Sequence, residues 1–353
     1  MSDFLSKLAK KLSKKYGTLR VAGEVEDSRE YISTGNLALD LALEGGIPMG
    51  QVVEWSGKSG SGKSLMLQLL LYDFLKKYPD GVCVWLDRES AFSEKRAKEL
   101  GLDLNRIILI KAADMVTVPQ AELLLKSILS DLKEHDVPKF VAVDSISAFA
   151  DDSDPTKSSM GRKARELHHF FREILPFINE KTSFHFSNQI TFRVGVLFGD
   201  NTTVTSGESV KYYSSIRIKM DDKRHIVDQK RGNEVIGTWI MCLVIKTRSG
   251  PNYRVVYVPF FYDERCIPYL AGYARLLAQR GYITPNNKQE FNKFMQSTFS
   301  YKDDKRLSEF NMEEVLKKYP ELLFEKYPPY NENGEAAEGD SEEIDFEIGS
   351  DSE

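Results

Sequence analysis

The chain has 353 residues, 41% of them hydrophobic and 29% charged, with a formal net charge of -5. This composition excludes collagen-like and wholly disordered chains, and the length suits one large core with a smaller satellite, or two domains. The charge is uneven: 331–353 carries about ten Asp and Glu and no Lys or Arg, so an acidic tail follows a mildly basic body. Such a tail either competes with nucleic acid for a basic surface or serves solubility alone.

Cys83, Cys242 and Cys266 show no paired metal spacing and read as reduced thiols in a cytosol-like compartment. With no apolar run of about 18 residues and no cleavable leader, a soluble cytoplasmic protein that does not engage membranes is expected.

In chain order, Phe4, Leu5, Leu8 and Leu12 recur at helical spacing among Lys7, Lys10, Lys11, Lys14 and Lys15. A short basic amphipathic helix without Trp suits a neighbouring subunit better than a membrane surface. Ile32 to Gly35 reads as a turn with a helix cap, and Leu37, Leu39, Leu41 and Leu43 fill the helix after it. The glycines between 45 and 50 then break that helix.

The apolar run Val52, Val53, Trp55 leads into Gly57, Lys58, Ser59, Gly60, Ser61, Gly62, Lys63 and Ser64, and then Leu65 to Leu71. This is G-x-x-x-x-G-K-[ST] between a strand and a helix, the order a phosphate-binding loop requires. Glycines let backbone N–H groups close on phosphate oxygens, and the helix N-terminus adds its positive end. Lys63 would reach the β- and γ-phosphates and Ser64 would hold Mg²⁺.

Strand and helix then alternate: strands at 82–87, 107–110 and 140–144, helices at 94–100 and 121–132. That pattern predicts an α/β core with a mostly parallel sheet and its ligand at the carboxyl ends of the strands. Asp144 closes one strand, as an acid orienting Mg²⁺; Asp87 and Glu89 follow another, where a carboxylate can act as general base.

The polar segment 151–159 reads as a loop, and 160–178 as a helix with Arg162, Lys163, Arg165 and Arg172 on a charged face. His168 and His169 read as surface or interface residues, not metal ligands. The short strand 184–189 ends at Gln189, whose amide suits sensing of a γ-phosphate. The Gly/Ser/Thr-rich stretch 190–209 reads as a loop of about twenty residues, a length that implies function. Strands at 215–220, 237–247 and 253–258 look antiparallel, with 221–233 as a charged connection and Lys246 and Arg248 alternating on the second. Beyond Pro268, apolar residues from Leu270 to Phe324 supply a small helical domain.

Several stretches together resemble the bacterial RecA recombinase family, which includes phage-encoded relatives. They are Ile32 to Gly35 through Leu43, Gly46 to Gly50, the phosphate loop, Asp87-Arg88-Glu89, Val143-Asp144-Ser145, Ser158 to Gly161 with Arg165, Asn188-Gln189-Ile190 through Gly199 to Tyr213, Lys246 with Arg248, and Ser300-Tyr301-Lys302. The resemblance implies a RecA-type P-loop ATPase core at 33–265, an N-terminal oligomerisation helix and linker at 1–32, a small C-terminal domain at 266–330 and an acidic tail at 331–353. It implies ATP and Mg²⁺ between subunits of a helical filament. One subunit would supply 57–64, Asp144 and the base Glu89, and its neighbour Lys246 and Arg248. Gln189 would link the γ-phosphate to a DNA-binding loop at 190–209, with a second such loop at 151–159. Arg165, Arg172, Arg193, Ser206 and Gly207 become DNA contacts, and Met160 and Val194 wedges between bases.

The implied activity is DNA-dependent ATP hydrolysis coupled to homologous pairing and exchange of single- and double-stranded DNA, in repair and recombination, alongside single-strand-binding and loader proteins. A ring helicase-like motor and a regulatory filament with weak exchange are the alternatives. One departure concerns Arg96, which stands where the family has an aromatic ring over the adenine; its guanidinium can stack on a base instead.

Overall fold

The computed structural model describes residues 2–16, 21, 29–150, 160–192, 202–204, 209–228 and 232–262. The expected small domain at 266–330, the acidic tail, the segment 151–159 and most of 190–209 lie outside the described residues, as do Arg193, Val194, Ser206 and Gly207. The first compact unit holds α1 (Ser2–Tyr16), on which Phe4, Leu5 and Leu8 are exposed. No described helix is long and apolar enough to cross a membrane.

The second unit is an α/β layer structure. Its elements begin with β1 (Tyr31–Ile32), α2 (Leu37–Ala42), β2 (Ile47–Pro48), β3 (Val52–Gly57), α3 (Lys63–Lys77), β4 (Val82–Asp87) and α4 (Glu94–Glu99). They continue with β5 (Ile107–Lys111), α5 (Val118–Glu134), β6 (Lys139–Asp144), α6 (Met160–Ile174) and β7 (Thr182–Phe192). β8 (Thr202–Val204), α7 (Ser209–Tyr213), β9 (Ile216–Asp228), β10 (Glu234–Lys246) and β11 (Arg254–Phe261) complete the unit. The main sheet runs β11-β10-β9-β3-β7-β6-β4-β5, with β8 paired to β7. From β9 to β5 neighbouring strands are parallel, while β10 and β11 are antiparallel additions at one edge.

Strand side chains alternate between two cores, as the period of two demands. Trp85, Phe140 and Ala142 face one side, packed with Leu67, Leu70, Leu71 and Phe74 of α3 and Leu37, Leu39 and Leu41 of α2. Val84, Leu86, Val141 and Val143 face the other, against Leu125 and Leu129 of α5 and Leu167, Phe170, Phe171 and Ile174 of α6. Each fully buried Val, Leu, Ile or Phe side chain among them contributes about 1.5–3 kcal/mol. With both faces covered, β4 and β6 read as apolar runs closed by an acid, which is why the sequence exposes them.

Local signals set the helix ends. Asn36 Oδ1 accepts from Leu39 N at 3.0 Å and starts α2. The Gln120 carboxamide accepts from Thr117 N at 3.1 Å and Val116 N at 2.8 Å, so α5 begins at Val118, before the expected 121. α6 stops at Ile174, short of the expected 178, because Pro176 turns the chain into a 3₁₀ turn at Leu175–Phe177.

Three expectations need correction. β7 does not end at Gln189 but runs on to Phe192, and its end pairs antiparallel with β8, so 190–209 is not all loop. β9 continues through the charged stretch to Asp228 and pairs with β10, leaving a short connection where 221–233 was expected. β10 ends at Lys246, so Arg248 lies beyond the strand and not in alternation on it.

Candidate functional site

β3 delivers the chain to a loop whose glycines are forced by space and dihedral. A Cβ on Gly57 would lie 2.4 Å from Ser61 Oγ and 2.5 Å from Met220 O. Gly62, the N-cap of α3, has φ 84°, where other residues are strained. Lys63 is buried, and its Nζ donates to Gly57 O at 3.1 Å and Lys58 O at 2.7 Å. Burial pulls its pKa below the usual lysine range, while Glu89 and Asp144 push it back up. An ammonium folded onto its own loop, which also holds a buried Ser61 hydroxyl with no hydrogen-bond partner among the described residues, makes a cradle that suits an anion.

At the end of β6, Asp144 is buried and accepts a hydrogen bond from Ser187 Oγ. Its Oδ2 is buried with no hydrogen-bond partner among the described residues. Burial raises its pKa; the Ser187 hydroxyl and then the Ser64 hydroxyl offset part of that rise, and Glu89 and Asp87 add to it. A carboxylate oxygen left unsatisfied next to Ser64 fits a divalent cation, so Ser64 and Asp144 are the residues that would hold Mg²⁺. The Asp144–Ser145 peptide is cis.

The two carboxylates after β4 separate by role. Asp87 accepts from Ala91 N at 2.8 Å and Phe92 N at 3.1 Å, so it shapes the turn. Glu89 is exposed, and its Oε1 accepts from Ser145 Oγ and from Gln189 Nε2, the latter at 2.8 Å. Gln189 reaches it because β7 pairs with β3 in a register that sets Gln189 beside Gly57. Thus 57–64, Asp144 and Glu89 converge at the carboxyl ends of β3, β6 and β4, with Gln189 of β7 level with them.

Lys246 and Arg248 do not join them. Glu54 pairs in register with Arg217, and Arg217 with Lys246. Lys246 is therefore level with Glu54, three residues or roughly 10 Å below Gly57, with Arg248 beyond it. Lys246 Nζ donates to Lys211 O at 3.1 Å. Burial lowers its pKa, and the Arg248 and Arg217 charges lower it further. Arg248 lines a hollow of about 260 Å³ with Gly50, Gln51, Tyr212 and Tyr213.

On α6, Arg165 and Arg172 are exposed two turns apart, about 10 Å along one face. Arg162 pairs with Glu166 at 3.1 Å. Met160 opens this helix. Arg96 sits on α4, where its guanidinium meets Glu99 at 3.9 Å.

Sequence reasoning missed the polar residues behind the site. Ser145, Ser147 and Ser187 support the acids, and the fully buried Glu54 is bound by Arg217 Nε and by Asn188 Nδ2, the latter at 2.8 Å. An acid inside the apolar run Val52, Val53, Glu54, Trp55 was the available signal, because it demands a partner.

Known proteins share this arrangement of sequence. A family model described as the RecA N-terminal domain matches residues 2–267. Protein RecA of Ruegeria pomeroyi is 32% identical over 253 residues, 70% of each chain. Protein RecA of Acinetobacter baylyi is 31% identical over 269 residues, 74% of this chain and 72% of that one. Protein RecA of Wolinella succinogenes is 29% identical over 265 residues, 72% of each. A match across most of the chain, by a family whose likeness the phosphate loop and strand-end acids already carry, means that the chain belongs to the RecA family.

Proposed function

We propose that this protein is an ATP-dependent homologous recombinase that forms a filament on single-stranded DNA and pairs it with homologous duplex. The observation carrying this reading is the bond from Gln189 to Glu89. Gln189 stands on β7 beside the phosphate loop, and β7 runs on without a break into its pairing with β8. Nucleotide state and the segment assigned to DNA thus share one strand.

On this reading each residue has a role. Lys63 leaves its carbonyl partners to bind phosphate oxygens, and the α3 N-terminus adds its dipole. Ser64 and Asp144 hold Mg²⁺, which when bound supplies charge neutralisation on the phosphates. Glu89 orients a water and takes its proton. Gln189 exchanges its bond to Glu89 for one to the γ-phosphate and so carries the nucleotide state into β7. Lys246 and Arg248, remote from the loop of their own chain, complete the site of a neighbouring subunit, so ATP sits at the interface of the filament. Arg165 and Arg172 hold DNA phosphates, with Met160, Arg193, Val194, Ser206 and Gly207 as further DNA contacts. Such contacts hold any sequence, and base pairing performs the homology test. Single-strand-binding and loader proteins would assist assembly in the cytoplasm.

The test mixes protein, ATP, Mg²⁺ and circular single strands with homologous or unrelated linear duplex. Joint molecules are expected with the homologous duplex only. Equal yields with both, or none with either, would overturn the reading, and unwinding without homology would favour the ring motor.

A further inference from the structure

The turn after β6 holds a second serine whose bonds reach three elements. Ser147 Oγ accepts from Gln189 N–H at 3.1 Å, and lies 2.8 Å from Ser145 Oγ. Ser145 Oγ in turn contacts Glu89 Oε1. Lys163 of α6 donates to Ser147 O at 2.5 Å, which pins the 3₁₀ turn (Ile146–Ala148) to the first turn of that helix.

Proton counting fixes the direction of this chain. A carboxylate only accepts, so the single hydroxyl proton of Ser145 goes to Glu89. Ser147 must then donate across its contact with Ser145, while its own oxygen accepts from the Gln189 amide. Every proton points toward Glu89: Gln189 N–H to Ser147, Ser147 to Ser145, Ser145 to Oε1. Donors aligned in this way polarise one another. Oε1 also takes the Gln189 carboxamide, so among the described residues Oε2 is the oxygen left for water. Without the Ser147 hydroxyl, Ser145 keeps its proton but loses the partner that aims it.

We propose that Ser147 is a positioning residue for ATP hydrolysis, orienting Ser145 so that Glu89 is held with one oxygen fixed and the other presented to the attacking water. The proposal rests on the reading of Glu89 as general base. It concerns the chemical step and not nucleotide binding, because neither serine belongs to the phosphate loop. Ser147 is half-buried in a short turn, and Thr supplies the same hydroxyl.

The experiment measures steady-state ATP hydrolysis by the full chain with saturating single-stranded DNA and Mg²⁺, for wild type, Ser147→Ala, Ser147→Thr and Glu89→Gln. Ser147→Ala should lose about 5- to 10-fold in kcat with KM for ATP unchanged, the loss of one oriented hydrogen bond. Ser147→Thr should recover most of it. A Ser147→Ala kcat within about twofold of wild type, or a Thr variant as slow as Ala, overturns the proposal while an inactive Glu89→Gln leaves the base assignment standing. A Glu89→Gln variant that turns over normally overturns the base assignment, and the role of Ser147 with it. Should Ser147→Ala fail to fold by circular dichroism, the decision passes to Thr: wild-type kcat supports the proposal, and a tenfold loss in a folded protein overturns it.

Discussion

Replacing Glu54 by Ala tests whether the sheet is held together by charge beneath the phosphate loop. Glu54 is fully buried on β3; Arg217 of β9 and Asn188 of β7 both donate to it, and the Arg217 side chain is only 12% exposed. Truncating Glu54 leaves a guanidinium with little access to water, and breaking a buried pair in this way costs about 3–5 kcal/mol. For a core of this size each kcal/mol moves the melting point by about 2–4 °C, so a loss of roughly 6–20 °C is expected. Arg217→Ala should cost a comparable amount, because it strands the buried carboxylate. The double variant should then be at least about 1 kcal/mol less destabilised than the sum of the two, since the second truncation removes the charge that the first left unpaired. Urea unfolding midpoints for the three variants and wild type close the cycle. Additive costs, or a Glu54→Ala penalty below about 1 kcal/mol, would refute the reasoning.

Burial, with Asp40 nearby, pushes the Asp73 carboxyl up to about 7, and burial pushes Asp40 up to about 6 against the Ser33 and Thr34 hydrogen bonds. The folded state therefore holds protons that the unfolded chain releases near pH 4, and stability should fall as pH rises from about 4 to about 7. Asp73→Asn should flatten that fall in urea midpoints compared at about pH 5 and pH 8; an unaltered slope would dismiss Asp73 as its source. Removing 331–353 deletes about ten acids and should tighten duplex DNA binding, most visibly at moderate salt. Overlaid titrations with and without the tail would reduce it to a solubiliser.

What the sequence disclosed depended on how locally each feature is encoded. The phosphate loop lies in eight consecutive residues, and β4 and β6 are apolar because both faces are covered, so all three are legible. The mostly charged stretch 221–228 hides the continuation of β9 past Met220, which persists by hydrogen bonding to β10. Asp87 and Glu89 were indistinguishable as acids after a strand, and only the backbone shows Asp87 spent on Ala91 and Phe92. The Gln189–Ser147–Ser145–Glu89 chain spans a hundred residues, and no spacing rule links its members. Arg193, Val194, Ser206 and Gly207 lie outside the described residues and keep the standing the family likeness gives them.

The register of the sheet makes one further demand. Within one chain, the register sets Lys246 level with Glu54, roughly 10 Å below the phosphate loop, with Arg248 farther along beyond the end of β10. If these cations act on ATP, a neighbouring chain must receive them, through a head-to-tail interface. Complementation decides this. A Lys63→Ala chain has no working phosphate loop but intact cations; a Lys246→Ala/Arg248→Ala chain has the reverse. Each alone should hydrolyse little ATP. When the two are mixed in equal amounts before DNA is added, random assembly joins an intact loop to intact cations at about a quarter of interfaces, and about a quarter of wild-type turnover should return. Cations acting within their own chain would leave every site in the mixture defective, and activity would stay at the level of the separate variants.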